Sequence, residues 1–230
     1  MDNAYYDQLY LLQDDVLNLV FREPYGFYLT GGTALSRFYF NHRYSDDLDF
    51  FHSDCAVFPD AFRLMLRSFR ERWPDITLEV DARDFKRLWL KVQNTILKID
   101  FVADRVPRIG IPAVRGSFRV DTVRNILSNK VCAILGRDEE KDVADLIWIS
   151  KKRQFFWPTV LADAQTKEQF TKDELSYRLS TFPIHLLNNV HFIQEMEQHN
   201  YEHALQVIIQ DIQAGTDNHL AEKPLSIPLE

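Results

Sequence analysis

The sequence predicts an α+β fold: a mixed sheet with helices packed on one side, followed by a helical C-terminal region. Two observations carry this. Between about residues 26 and 102, short apolar segments of strand length alternate with turn signals and a single helical pattern. Beyond residue 121 the apolar positions recur at helical spacing almost to the end.

The elements follow in order. Leu9, Leu12, Val16 and Leu19 have helical spacing, so residues 5–22 open the chain as an amphipathic helix. Gly26-Phe27-Tyr28-Leu29-Thr30 is aromatic and apolar enough for a buried strand, which Gly31-Gly32 interrupts. Residues 33–40 read as a short helix, and a strand carrying Asp47-Leu48-Asp49-Phe50 runs to about 52. Pro59 begins a helix that ends near Trp73-Pro74, with Phe62, Leu66 and Phe69 on one face. Extended segments at 76–80, 87–92 and 96–102 come next, the last two forming a hairpin around Asn94-Thr95. Residues 104–119, with two prolines and two glycines, read as a loop. Asp121 or Thr122 caps a helix over 123–135, which Gly136 can close in a left-handed conformation. Further helices are expected at 138–149, 160–170, 172–180 and 186–213.

Composition bounds the function. With 230 residues, 46% apolar and 13% aromatic, the chain can bury a sizeable core. Cys55 and Cys132 stand far apart without metal-ligand spacing, so neither a usual zinc site nor a disulfide framework is expected, and a cytoplasmic setting fits. No secretory signal and no apolar run of the roughly 20 residues that span a bilayer are visible. The net charge of −7 hides an asymmetry: residues 61–130 hold fifteen Lys or Arg against eight Asp or Glu, or +7, leaving −14 for the rest. Arg63, Arg67 and Arg70, then Arg83, Lys86, Arg87 and Lys91, make a segment able to steer a polyanion.

The chemistry concentrates in two motifs. Two glycines after a strand let the chain turn sharply and let an anion approach the amides without Cβ hindrance. The helix that follows would aim its first N–H groups at a phosphate. Asp47 and Asp49, two apart on a strand, project from one face about 6–7 Å apart while Leu48 and Phe50 turn to the core. Such a pair can hold one or two hard divalent cations beside a phosphate, the apparatus of in-line phosphoryl or nucleotidyl displacement. Lys98 and Asp100 alternate in the same way with Ile99 and Phe101, and a third acid on a neighbouring strand could complete a metal shell or act as general base.

Gly31-Gly32-Thr33-Ala34-Leu35, then Arg43-Tyr44-Ser45-Asp46-Asp47-Leu48-Asp49-Phe50, resembles the first signature of the AbiEii/AbiGii toxin family, in the polymerase-beta-like nucleotidyltransferase superfamily. The resemblance implies a polymerase-beta-like nucleotidyltransferase core at residues 1–120 and a helical region at 121–230 that completes the active site. It gives Gly31, Gly32, Thr33, Arg43 and Ser45 to the nucleotide, and Asp47, Asp49 and Asp100 to Mg2+ or Mn2+. The stretch from Asn129 to Ile149 is similar to a later family pattern in which Lys130, Arg137, Asp142 and Asp145 fill the marked positions, and the resemblance gives all four to nucleotide binding and Lys130 also to catalysis. Lys130 could neutralise charge on the triphosphate, and Asp142 could orient Lys130 or Arg137. Outside the resemblance, His199-Asn200-Tyr201-Glu202-His203 matches an inverted zinc-protease pattern, but the downstream sequence offers poor candidates for a third ligand, so two surface histidines are expected.

The resulting expectation is an enzyme: a Mg2+-dependent nucleotidyltransferase moving NMP from an NTP to an acceptor hydroxyl. By resemblance it is the toxin of a toxin–antitoxin or phage-defence pair, with RNA, such as tRNA, as acceptor and a cognate antitoxin as partner. The alternatives are a small-molecule nucleotidyltransferase and a nucleotide-binding interaction protein without transferase activity.

Overall fold

The computed structural model describes residues 3–194, 198–222 and 227–229. The chain divides into two compact units, Met1–Phe38 with Tyr44–Asp121, and Tyr39–Arg43 with Thr122–Glu230.

The first unit begins with helix α1 (Asn3–Arg22), strand β1 (Tyr28–Thr30) and helix α2 (Gly31–Leu35), which runs on as a π-helical turn, Ser36–Phe40. Strand β2 (Asp47–His52), helix α3 (Phe58–Arg72) and strands β3 (Thr77–Asp81), β4 (Phe85–Val92) and β5 (Thr95–Ala103) follow. Strands β6 (Ala113–Arg115) and β7 (Phe118–Val120) complete a seven-stranded mixed sheet in the order β3-β4-β5-β2-β1-β7-β6. The strand β2 lies antiparallel to β1 and parallel to β5, and β7 runs parallel to β1. The expected loop at 104–119 therefore holds a hairpin: three-residue strands are too short to show a period, and the glycines and prolines mask them.

Alternation decides the faces. Leu48, Phe50, Leu97, Ile99 and Phe101 are fully buried on one side of the sheet. Helices cover that side. Phe62 and Phe69 of α3 meet Phe101 edge-on at 5.4 and 6.0 Å, and Phe21 of α1 meets Phe50 at 5.9 Å. The opposite side carries Asp47, Asp49, Lys98 and Asp100. Burying the aromatic side stabilises this unit, since each such ring removes a large apolar area from water.

The second unit is mostly helical: α4 (Val123–Gly136), α5 (Glu140–Lys152), α6 (Trp157–Gln165), α7 (Lys172–Thr181) and α8 (Gln198–Ala214). Thr122 caps α4 by accepting a hydrogen bond from the Asn125 amide at 3.1 Å. Gly136 is the last residue of α4 and is not left-handed; Arg137 follows in extended backbone. The expected long helix at 186–213 is broken. Ile184–Asn189 forms a 3-10 turn, residues 190–194 are not helical, and α8 is described from Gln198. The side chain of His199, first in the zinc-protease pattern, lies outside the described residues.

Candidate active site

Strand pairing builds one row of side chains across the face of the first unit's sheet opposite its aromatic core. Thr30 of β1 faces Asp49 of β2, Asp49 faces Asp100 of β5, and Asp100 faces Arg87 of β4. One pleat further along, Asp47 faces Lys98. Three carboxylates thus share a face with two cations. Nε and Nη2 of Arg87 each donate to Asp100 at 2.8 Å, a bidentate pair. Nζ of Lys98 sits 2.7 Å from Asp47 Oδ2 and 4.0 Å from Asp100 Oδ2. Partial burial would discharge Lys98, but Asp47, through attraction and a hydrogen bond, together with Asp49 and Asp100, outweighs it and holds the ammonium more basic than usual. The hydrogen bond to Asp100 likewise holds the Arg87 guanidinium above its ordinary value.

The glycine turn abuts the same row. Gly31 is left-handed at φ +72°, and a Cβ there would lie 2.6 Å from Asp49 Oδ2. The carboxylate of Asp49 rests against the bare Cα, so the turn and the acid specify each other's positions. Gly32 lies buried within α2 without a positive φ, which gives the close-approach role to Gly31. Replacing Gly31 with alanine combines a left-handed β-carbon with that collision, a strain of roughly 1–2 kcal/mol. We expect Gly31→Ala to fold with a lowered urea midpoint and to lose most nucleotide transfer, because Asp49 must move; unchanged turnover would contradict this geometry.

Thr33 and Ser45 face inward. Thr33 Oγ1 is bonded to the Asp47 carbonyl and lies 2.9 Å from Ser45 Oγ. The Ser45 carbonyl accepts from Gln13 Nε2 at 2.9 Å, and its amide donates to the Tyr10 hydroxyl at 3.2 Å. Both residues fix how the chain enters β2. Thr30, likewise, donates to Asp121 Oδ2 at 2.7 Å. Asp121 is fully buried at the end of the sheet and escaped the sequence reading, which treated it only as a cap candidate.

The remaining candidates meet within the second unit. Arg43 grips Asp145 through Nε at 2.7 Å and Nη2 at 2.8 Å, and His42 Nε2 lies 2.8 Å from Asp145 Oδ1. Lys130 Nζ lies 2.7 Å from both Asp145 Oδ2 and Asp142 Oδ1. Arg137 completes the chain on Asp142 Oδ2, at 2.8 Å from Nε. Arg43, Asp142 and Asp145 are buried, whereas the Arg137 side chain is 60% exposed. Burial would raise the Asp145 carboxyl, but Arg43 and Lys130, with hydrogen bonds from Arg43 and His42, hold it well below the usual carboxylate range. Burial likewise favours neutral Lys130, and Asp145 and Asp142 reverse it. Lys130, Asp142 and Asp145 of the later family pattern thus join Arg43 in a buried charge chain, which the exposed Arg137 closes at the surface.

His42 is the titratable member. Burial depresses its pKa despite Asp145, and its Nδ1 has no hydrogen-bond partner among the described residues. The folded protein keeps this imidazole neutral while the unfolded chain protonates it near pH 6.5. Below that pH the unfolded state binds more protons, so stability falls as pH drops. Urea midpoints at pH 7.5 and 5.5 should differ less in His42→Gln than in the parent; an equal drop would assign the loss elsewhere.

Among the described residues, no three His, Cys, Asp or Glu side chains close on one point as a metal shell. On the acid row the reason is visible: Asp47 and Asp100 are turned to Lys98 and Arg87. The donor set still fits a hard divalent cation, being three carboxylates on neighbouring positions, and the Lys98 ammonium stands in for positive charge between two of them.

The arginines divide unevenly. Arg63, Arg67 and Arg70 lie on α3, which covers the aromatic side of the sheet, so they do not share the acid face. Their helical spacing could not say which side of the sheet α3 occupies.

The family model for the nucleotidyl transferase AbiEii toxin of type IV toxin–antitoxin systems matches residues 19–221. The chain belongs to this family of nucleotidyltransferases, which implies a nucleotide substrate and an antitoxin partner. Among solved structures, JHP933 from Helicobacter pylori is similar at a TM-score of 0.61 and 20% identity, covering 91% of this chain and 92% of that one. A second H. pylori structure, presented as a candidate nucleotidyltransferase, is similar at 0.58 and 20%, covering 91% and 93%. At that identity the likeness concerns the fold, and it agrees with the α+β class. No curated protein matches the sequence. No helix among the described residues is long and apolar enough to cross a membrane.

Proposed function

We propose that the protein is the toxin of its system and transfers NMP from an NTP to a hydroxyl of RNA, with tRNA as the leading acceptor, using Mg2+ held by Asp47, Asp49 and Asp100. The observation that carries this is the row Thr30–Asp49–Asp100–Arg87 across four adjacent strands, with Asp47 and Lys98 one pleat away. Magnesium there would neutralise the phosphate oxygens and hold the triphosphate in line.

The chain's own residues supply the rest. The left-handed turn at Gly31 presents backbone to the phosphates, beside the first N–H groups of the continuous helical run 31–40. With a cation held by the acids, Lys98 would be released from Asp47 and Asp100 and could meet phosphate oxygens. The acceptor oxygen attacks the α-phosphorus, the α–β phosphoanhydride bond breaks, pyrophosphate leaves and the hydroxyl proton passes to Asp100. In the second unit, Lys130 is committed to Asp142 and Asp145, so we assign it, with Arg43, to positioning rather than to contact with the reacting atoms.

Incubation with each α-labelled NTP, Mg2+ and total RNA tests this reading. Label from one NTP should enter RNA and remain in the buffer when EDTA is added. Label recovered on a small hydroxyl compound, with RNA untouched, would replace the RNA acceptor by a small-molecule one. Nucleotide bound but never transferred would leave a non-catalytic nucleotide-binding protein.

A further inference from the structure

The acid face continues past the active-site row into a cavity of about 720 Å³ at the far end of β2 and β5. Its lining includes Ser53, Cys55, Asp104 and three arginines, Arg83, Arg105 and Arg108. Tyr28 pairs in register with Phe51, on the face of Asp47 and Asp49, and its hydroxyl reaches Asp104, which places Asp104 on that side. Asp104, whose amide continues the ladder by donating to the His52 carbonyl, lies four positions beyond Asp100, about 13 Å at the strand rise. An anion in this cavity is therefore a different group from the one at the acids.

The cavity has a built floor. Tyr28 of β1 donates its hydroxyl to Asp104 Oδ2 at 3.0 Å, and burial beside Asp104 keeps the phenol protonated. The Arg108 guanidinium stacks over the Tyr28 ring, its carbon 5.2 Å from the centroid. Nε and Nη1 of Arg108 are shielded from solvent and have no hydrogen-bond acceptor among the described residues. Those two donors are left unsatisfied as the side chain stands, a cost that a turn of the guanidinium toward an anion in the cavity would relieve. Arg105 pairs with Asp84 at 2.5 Å, and Arg83 is exposed at the rim. With Asp104 in the lining and Asp84 on Arg105 both counted, the cleft keeps an excess of one positive charge.

We propose that Arg83, Arg105 and Arg108 form a phosphate-binding cleft that holds a backbone phosphate of the acceptor strand, roughly 13 Å from the acids that act on its hydroxyl. Arginine suits this because its planar fork donates two parallel hydrogen bonds to a phosphate while the ring below supports the other face. The cleft serves RNA, so the proposal rests on the acceptor class given above. It departs from a steering role for the whole basic segment: α3's arginines lie across the sheet, and only those on the acid side can follow a strand to the site.

Fluorescence anisotropy with a labelled single-stranded RNA oligonucleotide, over a range of salt and without NTP, tests the cleft. Arg83→Gln and Arg108→Gln should each weaken binding roughly tenfold and lower the log–log salt slope by about one. Arg108→Lys should recover the charge but little of the affinity, since the fork is lost. Arg63→Gln, on the other side of the sheet, should bind as the parent does. Affinity for a non-hydrolysable NTP should be unchanged in all four. Because Arg83 is exposed, its variant stays informative if Arg108→Gln fails to fold. Parental RNA affinity and slope in Arg83→Gln and Arg108→Lys would overturn the proposal, as would inorganic phosphate failing to compete with the RNA. This readout needs no transfer, so RNA bound in the cleft but never labelled would sink the transfer reading and leave the cleft standing.

Discussion

Asp49→Asn should fold like the parent and lose nucleotide transfer by about three orders of magnitude, the scale reached when charge stabilisation is withdrawn from a transition state. The reason lies in the row. Asp49 sits between Thr30 and Asp100 in register and rests on Gly31, so it is the central carboxylate of the face. An amide keeps the shape but supplies neither the charge nor the second oxygen lone pairs that a hard cation requires. Three carboxylates on one face also repel each other, only partly relieved by Lys98 and Arg87, so neutralising one should leave the urea midpoint level or raise it. Transfer within tenfold of the parent, in a protein with an unchanged circular dichroism spectrum, would remove Asp49 from the chemistry.

The largest effect on stability is expected at Asp145. Its two oxygens receive Arg43, His42 and Lys130, all within 2.8 Å, in a fully buried setting. Asp145→Asn leaves two buried cations facing an amide, and breaking one partner of such a network costs about 3–5 kcal/mol. That is a large share of the 5–15 kcal/mol by which domains are usually stable. Urea denaturation at pH 7.5 should show it as a sharp fall in midpoint with little change in slope. The contribution depends on the carboxylate's depressed pKa. It is present above the unfolded value near 3.9 and is lost only as pH falls through the lower folded value. A loss under 1 kcal/mol would mean that the chain of charges around Lys130 is dispensable to the fold.

How much of this was legible in the sequence depends on the range of the interaction. The alternation in Asp47-Leu48-Asp49-Phe50 and in Lys98-Ile99-Asp100-Phe101 told which side chains share a face, because a strand's period is a local property. Arg87 emerged only as part of the basic segment and not as the partner of Asp100, which a small difference concealed. The hairpin turns at Gln93-Asn94, with Gln93 left-handed, so Val92 pairs with Thr95 and Arg87 with Asp100. A turn at Asn94-Thr95 sets Arg87 opposite Val102 instead, two residues away from the acid. The pairing of Arg43 with Asp145 spans 102 residues and has no local signature at all. Neither Arg108 on Tyr28 nor the side of the sheet taken by α3 could be read from spacing, since both depend on how distant segments dock.

The central claim is that Asp47, Asp49 and Asp100 together hold the cation that carries the nucleotide. Crystals grown with Mn2+ and a non-hydrolysable NTP, measured at the manganese absorption edge, test it most directly. The result expected is an anomalous peak within coordinating distance of Asp47 and Asp49, with Lys98 withdrawn from Asp47 and the triphosphate over Gly31. Ordered nucleotide whose manganese lies away from these carboxylates, with the Lys98–Asp47 pair intact, would contradict it.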